Sequence, residues 1–206
     1  MKDEIAVTRI HLIGIGGSGM LPLAIILKQD GYVVSGEDDK LCHKAQDILD
    51  RHEIDISSLR SLQSSDSIKT VVRSSAIGDQ HPSVIEATKR GCRILARGEQ
   101  LAEFVNEKRV IAIAGSHGKT STCGVLVDLL ESLGVYPCYL IGGLFSDTKD
   151  PGRWNESEWA VIEIDESDGT IEAFAPDVTI ILNVDHDHHA YYPRYEDYLA
   201  SFQRLL

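Results

Sequence analysis

The chain has 206 residues, and at roughly 100–200 residues per domain that is one large domain or two small ones. Hydrophobic residues make up 43% and charged residues 25%, a soluble-type composition with enough apolar matter for a packed core. The net charge of -12 argues against a non-specific nucleic-acid binder, which neutralises phosphates with clustered Lys and Arg. A small phosphate ligand stays open, since a few backbone N–H groups and one lysine can hold it.

No apolar run approaches the ~20 residues of a membrane span, and Met1 to Arg9 is charged with no signal-peptide core behind it. Cys42, Cys92, Cys123 and Cys138 are far apart and lack CxxC spacing. That pattern reads as reduced, mostly buried thiols in a cytoplasmic protein rather than as a disulfide or zinc site.

In chain order, short apolar runs alternate with helical patterns. Arg9 to Ile15 is the first run, and residues 18–30 follow with Met20, Leu23, Ala24 and Leu27 on one side. Further runs are Tyr32 to Ser35, Lys69 to Arg73 and Arg93 to Leu95. The alternation predicts βαβ units and a Rossmann-like parallel sheet. Ser57 to Ser67 reads as a loop with a short helix.

Val110 to Ala114 is more apolar than any earlier run and predicts the central strand of a second sheet. A helix over Thr120 to Leu133 follows and stops at Gly134. Strands are expected at Cys138 to Ile141, Trp159 to Ile164 and Val178 to Leu182, and an amphipathic helix at Arg194 to Leu206. Asp147 to Glu156 reads as an exposed loop. A boundary near Asn106 to Lys108 divides the chain into domains 1–107 and 108–206.

Each domain opens on a strand, a glycine loop and a helix. In the first, Gly14, Gly16 and Gly19 satisfy G-x-G-x-x-G, and Glu37 and Asp38 lie about 20 residues further on, as ribose recognition requires. Helix N–H groups pointing outward beside glycine suit a phosphate. The loop alone does not separate a nicotinamide dinucleotide from a UDP-sugar, and a bare strand–helix turn is the bland alternative.

The second loop, Gly115-Ser116-His117-Gly118-Lys119-Thr120, ends like the Walker pattern but lacks its first glycine, because Ile113 occupies that place. The physics is unchanged: backbone N–H groups cradle phosphates, Lys119 reaches β/γ oxygens, and the Thr120 hydroxyl can ligate Mg²⁺. The stretch Ala112 to Thr122 therefore predicts ATP binding. An oxidoreductase reading accounts for the first loop but leaves Lys119, Thr120 and Glu163 without a role.

Two acidic clusters follow. Glu163-Ile164-Asp165-Glu166-Ser167-Asp168 ends a strand, where carboxylates suit Mg²⁺. Extended geometry would aim Glu163 and Asp165 to one face. Asn183-Val184-Asp185-His186-Asp187-His188-His189 ends the next strand, and a metal or phosphate contact fits it better than an isolated zinc site.

The ordered set G-I-G-G-S-G-M, S-G-E-D, S-S-A-I, R-G-E, A-G-S-H-G-K-T-S-T, E-I-D-E-S-D and N-V-D-H-D-H resembles the Mur ligase family, from about Arg9 to the C-terminus. The shortened P-loop is then a family trait. The resemblance implies that the first domain holds UDP-N-acetylmuramate through Gly16, Gly17, Ser18, Gly19, Met20, Asp38, Ser74, Ser75 and Arg97.

It also implies an ATP site at Gly115, Ser116, His117, Gly118, Lys119, Thr120 and Ser121. Thr120, Glu163 and His188 would hold Mg²⁺, with Lys119, Glu163 and His188 serving catalysis. The implied reaction joins L-alanine to the lactyl carboxylate through an acyl phosphate; an alternative is a ligase adding a recycled murein tripeptide to the same UDP-sugar. Where the family commonly has M-D-x-Y after D-H, this chain has His189-Ala190-Tyr191-Tyr192. Family members are more than twice this length. The implied fold is thus a Rossmann-like α/β domain followed by the first part of a P-loop α/β ATP-binding domain, inactive alone or a non-catalytic nucleotide-binding module.

Overall fold

The computed structural model describes residues 8–62, 67–143, 149–166, 169–187 and 191–205. It divides into two compact units, Met1–Arg97 and Gly98–Leu206.

The first unit is a five-stranded parallel sheet. Its strands are β1 (Arg9–Ile13), β2 (Val33–Glu37), β3 (Asp55–Ile56), β4 (Thr70–Arg73) and β5 (Arg93–Ala96), in the order β3-β2-β1-β4-β5. Ile13 at the end of β1 pairs with Glu37 of β2 and Arg73 of β4. The loops after three strands therefore open on one edge, beside the point where strand order reverses, the usual ligand position in such sheets.

Helix α1 (Met20–Gln29) carries buried apolar residues from Met20 through Leu27, as expected of a helix covered on all sides. Pro22 is tolerated because it sits in the first turn, where backbone N–H groups have no intrahelical partner anyway. Truncating the buried Leu23 to Ala would cost roughly 2–5 kcal/mol. Helices α2 (His43–Arg51) and α3 (Pro82–Lys89) complete the unit, and Val84 and Ala87 of α3 pack with Ile13, Leu59 and Val71.

The second unit begins within α4 (Arg97–Val105). Its sheet comprises β6 (Arg109–Ala114), β7 (Cys138–Leu140), β8 (Gly152–Arg153), β9 (Trp159–Glu163) and β10 (Val178–Ile181), ordered β10-β6-β9-β7-β8 and parallel except for β8. Helix α5 (Lys119–Ser132) follows β6, and α6 (Tyr195–Leu205) closes the unit. Ile113, Val161 and Tyr139 from the sheet and Ile141 just past β7 pack against Cys123 and Val127 of α5. Gly134 takes a left-handed φ of 79° after α5, and Val135 N–H bonds back to the Leu130 carbonyl, the helix stop read from the sequence.

Two sequence expectations change. Asp147 to Glu156 is not simply an exposed loop: Gly152–Arg153 pairs with β7, and Pro151 and Gly152 are buried. Of the four free thiols only Cys123 and Cys138 are buried; Cys42 is exposed. No described helix is long and apolar enough to cross a membrane.

Candidate active site

The second unit's glycine loop leaves β6 at Gly115, φ 135°, and enters α5 at Gly118, φ 85°. Such backbone values favour glycine, and a Cβ at position 115 would also stand 3.0 Å from the Asn183 carbonyl oxygen. Asn183, just past β10, clamps the loop: its Oδ1 accepts the His117 N–H at 2.9 Å and its Nδ2 donates to the His117 carbonyl at 3.0 Å. Ser116 Oγ donates to the Asp185 carbonyl at 2.7 Å and accepts the Asp185 N–H at 3.0 Å. His117 and Ser121 are exposed at the loop.

Lys119 opens α5. Its Nζ donates to the Gly115 carbonyl at 2.5 Å and lies 3.1 Å from both oxygens of Glu166. Glu166 is fully buried and also accepts from the Tyr198 hydroxyl at 3.2 Å. Burial pushes that hydroxyl up to about 12, against the pull of the Ser116 contact and with the help of the Glu166 charge. Tyr198 therefore keeps its proton at neutral pH.

Next to Lys119, the Thr120 hydroxyl donates to Glu163. Parallel pairing of Ile113 with Glu163 puts this carboxylate at the end of β9 beside the loop. Gly142, just beyond β7, donates its N–H to Glu163 Oε2 at 2.8 Å. A Cβ at position 142 would meet both carboxylate oxygens at 3.1 Å. Burial, and next the Glu163 charge, push the neighbouring Cys123 thiol well up, so it stays protonated.

The expectation that Glu163 and Asp165 continue on one strand face needs correction. β9 ends at Glu163, and the carboxylate that reaches the loop beside it is Glu166. The local signal for Glu166 was present in E-I-D-E, but alternation was carried past the end of the strand. Tyr198 had no signal, since a tyrosine on an amphipathic helix reads as core. His188 lies outside the described residues. His186 Nε2 contacts the Tyr192 carbonyl at 2.9 Å, a tie within its own segment.

In the first unit, the Gly14 and Ile15 N–H groups donate to the Glu37 carbonyl at 2.8 and 3.1 Å. Gly16 N–H donates to Asp38 Oδ2 at 2.9 Å, and Lys40 N–H to Asp38 Oδ1 at 2.8 Å. Asp38 thus organises the glycine loop. Met20 and Leu21 N–H groups turn back to the Gly17 carbonyl and start α1. Arg97, 7% exposed, runs past Gly19, where a Cβ would stand 2.8 Å from its Cδ.

Ser74 follows β4 and donates its N–H to the Ile13 carbonyl. Ser18 and Ser75 are exposed. Gly14, Gly17, Asp38 and Ser74 share a crevice of about 330 Å³. Expected substrate residues Gly16 and Asp38, and Gly19 and Arg97, are thereby brought together in pairs.

Comparison with known proteins matches two family descriptions to successive parts of the chain. The family description "Mur ligase family, catalytic domain" matches residues 9–109, and "Mur ligase middle domain" matches residues 113–206. The chain is 35% identical to a UDP-N-acetylmuramate–L-alanine ligase of Pelagibacter ubique, covering 100% of this chain and 44% of the relative. It is 38% identical to the ligase of the same name from Streptomyces avermitilis, covering 98% and 43%. It therefore spans less than half the length of these curated relatives.

Among solved structures, UDP-N-acetylmuramate-alanine ligase of Thermotoga maritima superposes with a TM-score of 0.85 at 25% identity, over 96% of this chain and 46% of that one. UDP-N-acetylmuramate:L-alanyl-gamma-D-glutamyl-meso-diaminopimelate ligase of Neisseria meningitides also gives 0.85, at 27% identity, over 97% and 68%. With both of its units matched, this chain belongs to the Mur ligase family.

Proposed function

We infer that this chain supplies the UDP-sugar site and the phosphate-handling part of the ATP site of a UDP-N-acetylmuramate–L-alanine ligase, with domains at 1–107 and 108–206. The family is generally ATP-dependent. The observation that bears most on this chain is the juxtaposition of Lys119, Thr120 and Glu163 at one glycine loop. Residues 115–121 would cradle the triphosphate. Gly16, Gly17, Ser18, Gly19, Met20, Asp38, Ser74, Ser75 and Arg97 would hold UDP-N-acetylmuramate.

Magnesium fits the donor set. The Thr120 hydroxyl and the Glu163 carboxylate are both oxygen donors, as a hard cation requires, and Gly142 N–H orients the carboxylate from behind. Thr120 and Glu163 would hold one ion, and His188 would hold a second. When bound, the ions offset charge on the phosphates.

In the reaction the lactyl carboxylate attacks the γ-phosphorus of ATP, ADP leaves, and an acyl phosphate forms. The amine of L-alanine then attacks the acyl carbon and phosphate leaves. Lys119 screens repulsion between carboxylate and triphosphate, so the protein's part is positioning and electrostatics. On this reading the protein works in the cytoplasm with small-molecule partners only.

The Neisseria structure supports a second reading, a tripeptide-adding ligase on the same UDP-sugar. The curated relatives at 35% and 38% identity are both named as alanine ligases, which favours the first. Calorimetry of the 206-residue chain tests the assignment: Mg·ATP and UDP-N-acetylmuramate should each bind, and Lys119→Ala should weaken the first by about tenfold or more while sparing the second. Loss of both would mean the two sites are not separate. Phosphate release from ATP, UDP-N-acetylmuramate and L-alanine should be slight with this chain and alanine-dependent in a form extended to the relatives' length; tripeptide dependence there would select the second reading.

A further inference from the structure

Lys119 is committed before any phosphate arrives. An ammonium has three N–H donors, and Nζ makes three contacts, one to the Gly115 carbonyl and one to each Glu166 oxygen. Its side chain is 14% exposed and that of Glu166 is 0% exposed. A buried carboxylate is costly unless paired, so Glu166 holds Lys119 strongly. Yet cradling phosphates requires no carboxylate there. Glu166 places a negative charge one ammonium away from where anionic oxygens would sit.

A second contact chain holds Glu166 itself. Tyr198 of α6 has one hydroxyl proton, which it gives to Glu166 Oε1 while lying 2.9 Å from Ser116 Oγ. The chain Ser116–Tyr198–Glu166–Lys119 therefore leaves the loop near its start, passes through α6 and returns at the head of α5.

We propose that Glu166 is a positioning residue that competes with the phosphates of a bound nucleotide for Lys119, and that Tyr198 tunes this competition. The inference rests on the phosphate-binding reading of the loop. A triphosphate takes Lys119 away from Glu166, which keeps the Tyr198 hydroxyl as a donor. Removing the Glu166 charge then favours phosphate binding. Removing the Tyr198 hydroxyl opposes it, because the carboxylate then loses this donor as well as Lys119.

The test is titration of the 206-residue chain with Mg·ATP and, separately, with inorganic tripolyphosphate. Glu166→Gln should tighten both by about tenfold, and Tyr198→Phe should weaken both by roughly threefold, in line with one charge-assisted and one ordinary hydrogen bond. General loosening of the loop would weaken both variants, so opposite signs distinguish competition from damage. In a Lys119→Met background each effect should shrink below about twofold.

Weakened binding in Glu166→Gln, or effects that persist without Lys119, would overturn the proposal. If Glu166→Gln fails to fold, Tyr198→Phe with and without Lys119→Met decides alone. Binding of tripolyphosphate but not ATP would remove the ATP assignment and leave the competition intact. No binding of either probe by wild type and Glu166→Gln alike would overturn both.

Discussion

The Thr120 hydroxyl lies 3.1 and 3.0 Å from the two oxygens of Glu163, bridging the first turn of α5 and the end of β9. Gly142 N–H completes the grip on the same carboxylate. Glu163→Ala leaves a hydroxyl and a backbone N–H without their acceptor, which should lower stability by about 1–3 kcal/mol. More telling is metal dependence. EDTA should weaken ATP binding to the wild-type chain and leave binding to Glu163→Ala unchanged. An equal response to EDTA in both would place the cation elsewhere.

Asn183 bonds both the N–H and the carbonyl of His117, so it fixes loop geometry without adding charge. Asn183→Asp keeps the acceptor, loses the donor and adds a negative charge beside the loop. Mg·ATP affinity should fall by about tenfold or more. Asn183→Ala should be milder, since it adds no charge. Equal losses in calorimetry would show that loop shape alone controls binding.

How far the sequence reached depends on how local each signal is. Gly115 to Thr120 was legible because its chemistry is contiguous and follows a strongly apolar strand. The edge strand at Gly152–Arg153 was not, because it exists only by pairing with β7. Helix α2 escaped notice since only Ala45, Ile48 and Leu49 are buried in it. Glu166 and Tyr198 meet across 32 residues, and no spacing rule predicts such a contact. Asp38 was found for its place after β2, yet its observed work is to cap the glycine loop.

Glu37 supplies a pH dependence in the first unit. Burial raises its carboxyl, but the His11 imidazole and the Ser83 and Ser58 hydroxyls outweigh it and bring it from 4.5 down to about 2. His11 is fully buried in β1, with its Nε2 3.9 Å from Glu37 Oε1. A lowered folded-state value means the contribution is present above pH 4.5 and lost as pH falls toward 2. A displacement of that size corresponds to roughly 3 kcal/mol. Glu37→Gln should therefore lose about that much stability at pH 7 and little near pH 2, read by urea denaturation with amide exchange at Leu12 and Val34. A penalty that does not change with pH would assign Glu37 a packing role only.

The glycine of R-G-E has a reason that only the fold reveals. An added Cβ at Gly98 would fall 1.7 Å from Thr170 Oγ1 and 2.5 Å from Thr170 Cβ. Thr170 opens the 3-10 turn Thr170–Ala173, whose Ala173 carbonyl accepts from Asn106 at the other end of α4. The turn is thus pinned against the helix and cannot easily move aside. Gly98 has no left-handed backbone to protect, so helix propensity alone would make Gly98→Ala stabilising by about 1 kcal/mol. The clash reverses the sign, and overpacking should cost roughly 1–3 kcal/mol instead. Thr170→Gly removes the three atoms nearest the new methyl, so in that background Gly98→Ala should turn neutral or stabilising. Thermal unfolding of the four-membered cycle measures the coupling; a Gly98→Ala cost that is the same in both backgrounds would show that something other than Thr170 requires the glycine.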